Sequence, residues 1–171
     1  MYKRQVIFNN RKINSLSLSS RAGEGLVYLP QEPSIFRNLS VEENIKSSLE
    51  TKTSSKKELN SRIIEIMEEF KISSLAKQKG RELSGGQRRR VEIARSIALN
   101  PKFIMLDEPF AGIDPLAIDD LKMLIQKLKK KGLGILISDH NVKATTDICQ
   151  KIFVISSGNI IAHGTPGEIL N

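Results

Sequence analysis

Phe103-Ile104-Met105-Leu106-Asp107-Glu108-Pro109 is an apolar run closed by two acids. Read as a strand, it sets both carboxylates at the carboxyl edge of a sheet, where α/β folds hold ligands. An acid in the position of Asp107 can hold Mg2+, directly or through water. One in the position of Glu108 can orient and deprotonate an attacking water. The same pattern also occurs at ordinary solvated strand ends. A second stretch, Leu83-Ser84-Gly85-Gly86-Gln87, combines a serine and two glycines at a predicted helix start. Such a start leaves backbone N–H groups open to a phosphate, and the helix dipole favours the charge. A plain glycine-rich cap has the same composition.

These stretches need elements to position them. Strand signals fall at 6–8, 26–29, 103–107, 135–138, 152–155 and 160–162. Ser40-Val41-Glu42-Glu43 has capping-box spacing and predicts a helix to Leu49. Leu59, Ile63, Ile66, Met67 and Phe70 recur at helical spacing over 58–70. A helix over 85–99 stops before Pro101. Asp114-Pro115 opens another to about Lys130, with Gly132 behind it. Further helices are expected over 142–150 and from Thr165-Pro166-Gly167-Glu168. The stretch 12–21 is polar and weakly patterned, and 51–57 reads as a polar connector. Short apolar strands alternating with helices imply an α/β fold with a mostly parallel sheet.

The 171 residues are enough for one domain with a real core. No apolar run is long enough to span a membrane, and no secretory signal fits the first residues. The one cysteine, Cys149, cannot form an internal disulfide, which points to a reducing cytoplasm. It is expected to be a small buried side chain. The net charge of +8 is compatible with anionic partners. Without aromatic interleaving for base stacking, nucleic acid is not expected. Lys127, Lys129, Lys130 and Lys131 read as a solvated helix end whose charge suits the dipole.

Spacing joins the two stretches. Gln87 precedes Asp107, with Arg88-Arg89-Arg90-Val91-Glu92-Ile93-Ala94-Arg95 between them. Asp114 follows Glu108, His140 follows the strand 135–138, and Gln31 follows the strand 26–29. In this order the motifs resemble the nucleotide-binding domain of ABC transporters, from about Leu26 to the end. The resemblance implies a P-loop NTPase-like sheet with an inserted helical subdomain over about 35–99, and 1–34 and 100–171 as the ATPase core. It implies ATP and Mg2+ as cofactors. Ser84, Gly85, Gly86 and Gln87 match the signature that meets the γ-phosphate bound to a second copy, so a homodimer sandwiching ATP is expected. Asp107 matches the Mg2+ ligand, Glu108 the general base and His140 the γ-phosphate switch. Gln31 matches the glutamine that links metal and water to the membrane subunits, and Asp114 the loop crossing the dimer interface. Ile35, Phe36 and Leu39 would line a groove for a transmembrane permease subunit, unless they pack inside.

A narrower resemblance runs through Pro30-Gln31-Glu32-Pro33-Ser34-Ile35-Phe36-Arg37-Asn38-Leu39-Ser40-Val41 and Ile161-Ala162-His163-Gly164-Thr165-Pro166. It points to the ATPases of bacterial lipopolysaccharide export, cytoplasmic and peripheral on the inner membrane. Branched-chain amino-acid uptake ATPases share part of the pattern. A chromosome-maintenance or repair ATPase is the competing nucleic-acid reading, but the heptads of its coiled coils are absent. A module that only binds a partner is the non-catalytic alternative. No Gly-x-x-x-x-Gly-Lys-Ser/Thr stretch occurs, so the phosphate loop and N-terminal strands are expected upstream. These residues alone are then expected to be inactive, with uncovered apolar sheet surface.

Overall fold

A computed structural model describes residues 5–51 and 55–170. Residues 1–10 match none of the motifs read from the sequence, and of these 1–4 lie outside the described residues. So does the middle of the connector at 51–57.

The chain opens with a small antiparallel hairpin, β1 (Ile7–Phe8) and β2 (Arg11–Lys12). Asn9 and Asn10 turn it with φ of 48° and 61°, a left-handed conformation that asparagine tolerates better than most residues. Helix α1 (Leu18–Gly23) follows, capped by the Ser17 hydroxyl, which accepts from the Ser20 N–H. Sequence patterning did not predict it, because it buries no residue completely and so has no apolar stripe to read.

Strands β3 (Leu26–Leu29), β4 (Phe103–Asp107) and β5 (Gly134–Ser138) form a parallel sheet with β4 central. Leu29 pairs with Leu106, and Leu106 with Ile137. Alternate residues face opposite sides. On one side Val27, Leu29, Ile104 and Leu106 are buried. They join a continuous core with apolar residues of α2 (Val41–Leu49), α3 (Lys56–Glu69), α4 (Gly85–Ala98) and α5 (Pro115–Lys130). On the other side Tyr28, Met105 and Leu136 form a cross-sheet row, with Tyr28 and Leu136 exposed. The expected uncovered apolar surface is therefore present.

After α6 (Val142–Ile148), β6 (Ile152–Ser156) and β7 (Asn159–Gly164) pair as an antiparallel hairpin. It exposes Phe153, Ile155, Ile160 and Ile161. Helix α7 (Pro166–Leu170) closes the described chain, its start braced by Glu168 accepting from the Thr165 N–H at 2.7 Å. Cys149 caps the end of α6 and is half-buried, and burial pushes its thiol pKa up. The lysines at the end of α5 are more than a solvated cluster. Lys127 and Lys131 pair with Glu69 at the end of α3, and Lys129 donates to the Ile148 carbonyl at 3.3 Å.

Candidate functional site

The carboxyl edge of the sheet gathers the acids. Asp107 ends β4, and both its oxygens are engaged. Ser138 donates to Oδ1 at 2.5 Å from the neighbouring end of β5, and Tyr28 donates to Oδ2 at 2.8 Å from β3. The Ser138 bond, then the Tyr28 bond, hold the Asp107 pKa below its ordinary value. The same contact raises the Tyr28 phenol. Asp107 is thus an ionised carboxylate at neutral pH. Stability from these bonds is fully present above the unfolded aspartate pKa of about 3.9. It fades as pH falls through the depressed folded value. Ser138→Ala is expected to move the Asp107 midpoint upward, with a smaller rise for Tyr28→Phe, read by carboxyl-carbon NMR titration.

Glu108 leaves the strand with φ of 40°, a strained conformation of the kind that clusters at functional sites. Its N–H donates to the Ser138 carbonyl at 2.7 Å, fixing the turn against β5. Gln31 donates from Nε2 to Glu108 Oε2 at 2.9 Å. His140 places Nδ1 3.4 Å from the same oxygen. Residues 77 and 32 positions away in sequence therefore converge on one carboxylate oxygen. Sequence motifs named all three, and the fold brings them together.

Helix α4 ties this edge to the loop after β3. Its Arg89 and Glu92 are only 5% and 3% exposed. Arg89 donates to the Pro30 carbonyl at 2.8 Å, the Asp107 carbonyl at 2.7 Å and Glu92 Oε2 at 3.3 Å. Glu92 Oε1 accepts from the Ser34 N–H at 2.8 Å. The loop carrying Gln31 is thus held at both ends by one buried ion pair. In sequence these residues belong only to the stretch between Gln87 and Asp107. The available signal was an i,i+3 opposite-charge pair among Val91, Ile93 and Ala94, on a helix with no wide polar face.

The glycines of the second stretch have a packing role as well. A Cβ on Gly85 would sit 2.8 Å from the Gly112 carbonyl oxygen, and one on Gly86 would sit 2.7 Å from the Ala117 Cβ. The start of α4 therefore packs on the segment that carries Asp114, which caps α5 by accepting from the Ala117 N–H at 2.9 Å. Ser84 and Gln87 close a reciprocal capping box, at 3.0 and 3.3 Å. Among the described residues, no hydrogen bond joins Ser84, Gly85, Gly86 or Gln87 to Gln31, Asp107, Glu108 or His140.

The expected groove residues divide. Ile35 is 6% exposed and belongs to the core, so it offers no contact to a partner. Phe36 is 49% exposed, with the Arg95 guanidinium 4.5 Å from its ring centroid. Leu39 is also exposed. Buried Asn44 shapes the turn between them. It accepts from the Phe36 N–H at 2.9 Å and donates to the carbonyls of Phe36, Leu39 and Ser40.

No group of three or more His, Cys, Asp or Glu side chains gathers as a metal site among the described residues. The Asp107 carboxylate, whose oxygens keep lone pairs beyond the bonds from Ser138 and Tyr28, still suits Mg2+, which takes one or two carboxylates and completes its shell with phosphate and water. The residues present fit that ion.

A parallel sheet whose carboxyl edge gathers Asp107, Glu108, Gln31 and His140 is the arrangement that the comparisons with known proteins place in a class. The chain belongs to the ABC transporter family, whose sequence profile matches residues 2–111. It is 51% identical over 166 residues to the lipopolysaccharide export system ATP-binding protein LptB of Escherichia coli strain K12, a match covering 96% of this chain and 69% of that protein. The same-named protein of Haemophilus influenzae is 47% identical, over 98% of this chain and 70% of its own length. Among solved structures, cbiO1 of Clostridium perfringens, part of the ABC transporter complex cbiONQ, superposes with a TM-score of 0.86 at 27% identity. That match covers 97% of this chain and 67% of cbiO1. The fold is the α/β, P-loop NTPase-like fold of ABC ATPases, and the family's activity is transport-coupled ATP hydrolysis. No helix among the described residues is long and apolar enough to cross a membrane.

Proposed function

We propose that this chain supplies the hydrolytic edge of an ATPase subunit powering lipopolysaccharide export, working at the cytoplasmic side of the inner membrane. The supporting observation is the convergence of Gln31 and His140 on Glu108 beside an ionised Asp107. In this reading Glu108 takes the proton of the attacking water. His140 meets the γ-phosphate and holds it in line with that water. Gln31 donates Nε2 to Glu108, which leaves its amide oxygen for the metal and makes the loop after β3 responsive to the site. Mg2+, held by Asp107 and Gln31, would neutralise charge on the phosphates.

Ser84, Gly85, Gly86 and Gln87 belong to the reciprocal half of the site. Among the described residues they make no hydrogen bond to Glu108 in their own chain, and the reading is a two-fold pair in which each copy's signature caps the nucleotide managed by the other. Asp114, beside that signature, lies where the two copies would meet. Residues 35–99 form the helical subdomain in this reading. Phe36 and Leu39 would receive a short apolar helix of the permease subunit, while Ile35 braces them from inside.

The test is phosphate release by the full subunit, as the cell makes it, reconstituted with its membrane partners in vesicles. His140→Ala is expected to lower turnover roughly 100-fold. Lipopolysaccharide should stimulate the parent complex, and leucine or valine should not. Stimulation by branched-chain amino acids instead would move the assignment to an importer.

A further inference from the structure

Asp139 stands out because its carboxylate is completely buried, with a side-chain exposure of 0%. A buried charge is costly unless hydrogen bonds satisfy it. Here two backbone N–H groups do so, and they come from different segments. Oδ2 accepts from the Phe110 N–H at 3.1 Å, and Oδ1 accepts from the Asn141 N–H at 2.8 Å. Phe110 lies two residues beyond Glu108, and Asn141 directly follows His140. One carboxylate therefore clamps the loop that carries the glutamate to the loop that carries the histidine.

We infer that Asp139 is a positioning residue that sets the separation of Glu108 and His140. This rests on the proposed roles of those two residues. The spacing it controls is the 3.4 Å between His140 Nδ1 and Glu108 Oε2. A neutral side chain with one acceptor oxygen can satisfy one loop but not both. The carboxylate has two oxygens about 2.2 Å apart by its covalent geometry, each with lone pairs to spare. The loop it restrains needs restraint. Glu108 and Gly112 both sit at positive φ, 40° and 66°, and among the described residues the turn is otherwise tied to the end of β5 by the Glu108 N–H donating to the Ser138 carbonyl. Releasing Phe110 would let the turn relax from its left-handed start. The glutamate would then move relative to the histidine, and a misplacement of order 1 Å can cost roughly 100-fold in rate.

The experiment compares Asp139→Asn with Glu108→Gln in the full subunit as the cell makes it, with rates taken per folded molecule. Asp139→Asn keeps the shape but puts an N–H2 against one of the two donors. Its kcat is expected to fall roughly 10- to 100-fold, with KM for ATP within about two-fold of the parent because nucleotide contacts are untouched. Amide hydrogen exchange at Phe110 should quicken in parallel. If Glu108→Gln is inactive while Asp139→Asn turns over at the parent kcat, the inference fails alone. An active Glu108→Gln subunit overturns the underlying reading and this one with it. If Asp139→Asn does not fold, Asp139→Ser takes its place. Loss of folding in both overturns the positioning role in favour of a purely structural one.

Discussion

Glu108→Gln is expected to abolish steady-state phosphate release by the full subunit, a loss of roughly 100- to 10,000-fold, without unfolding it. The substitution keeps the side chain's length and one acceptor oxygen, so Gln31 Nε2 retains a partner at the 2.9 Å position it now occupies. The backbone bond from residue 108 to the Ser138 carbonyl does not depend on the side chain. Only proton acceptance is lost. The amide cannot take the proton of an attacking water, and Asp107, committed to Mg2+ in the proposed mechanism, does not replace it. The check is a phosphate-release assay beside a thermal melt. Turnover near the parental rate in a folded variant would remove Glu108 from the mechanism.

Arg89→Met is the second large effect, and it acts first on stability. It strips the guanidinium from three acceptors and leaves the carboxylate of Glu92 buried without its cation. Breaking a buried pair by removing one partner costs about 3–5 kcal/mol. The double variant Arg89→Met, Glu92→Leu is expected to recover part of that, because no uncompensated charge remains. Recovery stays incomplete, since the Ser34 N–H and the carbonyls of Pro30 and Asp107 lose their partners. Urea denaturation of the two variants measures both numbers. A single variant as stable as the parent would show that the pair does not hold the Gln31 loop. The pair is not perfectly satisfied, as Arg89 Nε is buried without an acceptor. A group in that state costs roughly 1–3 kcal/mol, set against the three bonds that Nη1 and Nη2 donate.

Much of the architecture was legible because its signals are local. Ser40 with Glu43, Ser84 with Gln87 and Asp114 with Pro115 each set a helix start within four residues, and all three helices begin where the caps stand. The apolar run of β4 ended at its acids as expected. The order of the motifs identified the family without any coordinates, since it depends only on chain position.

What the tertiary structure decided is everything carried by pairing and burial. Tyr28 reaches Asp107 because β3 and β4 are adjacent and in one register, and residues 79 apart have no local signal of their meeting. Ile35 turns into the core while Phe36 next to it turns out, a choice made by Asn44 gripping the turn rather than by hydrophobicity. Nothing in the order of residues marks Arg89, Glu92 and Asp139 as charges that will be buried. They become parts of the site only when several elements pack around them and remove the water. Cap, period and motif are written in the order of residues, but which charges end up desolvated, and against what, depends on surfaces that exist only after folding.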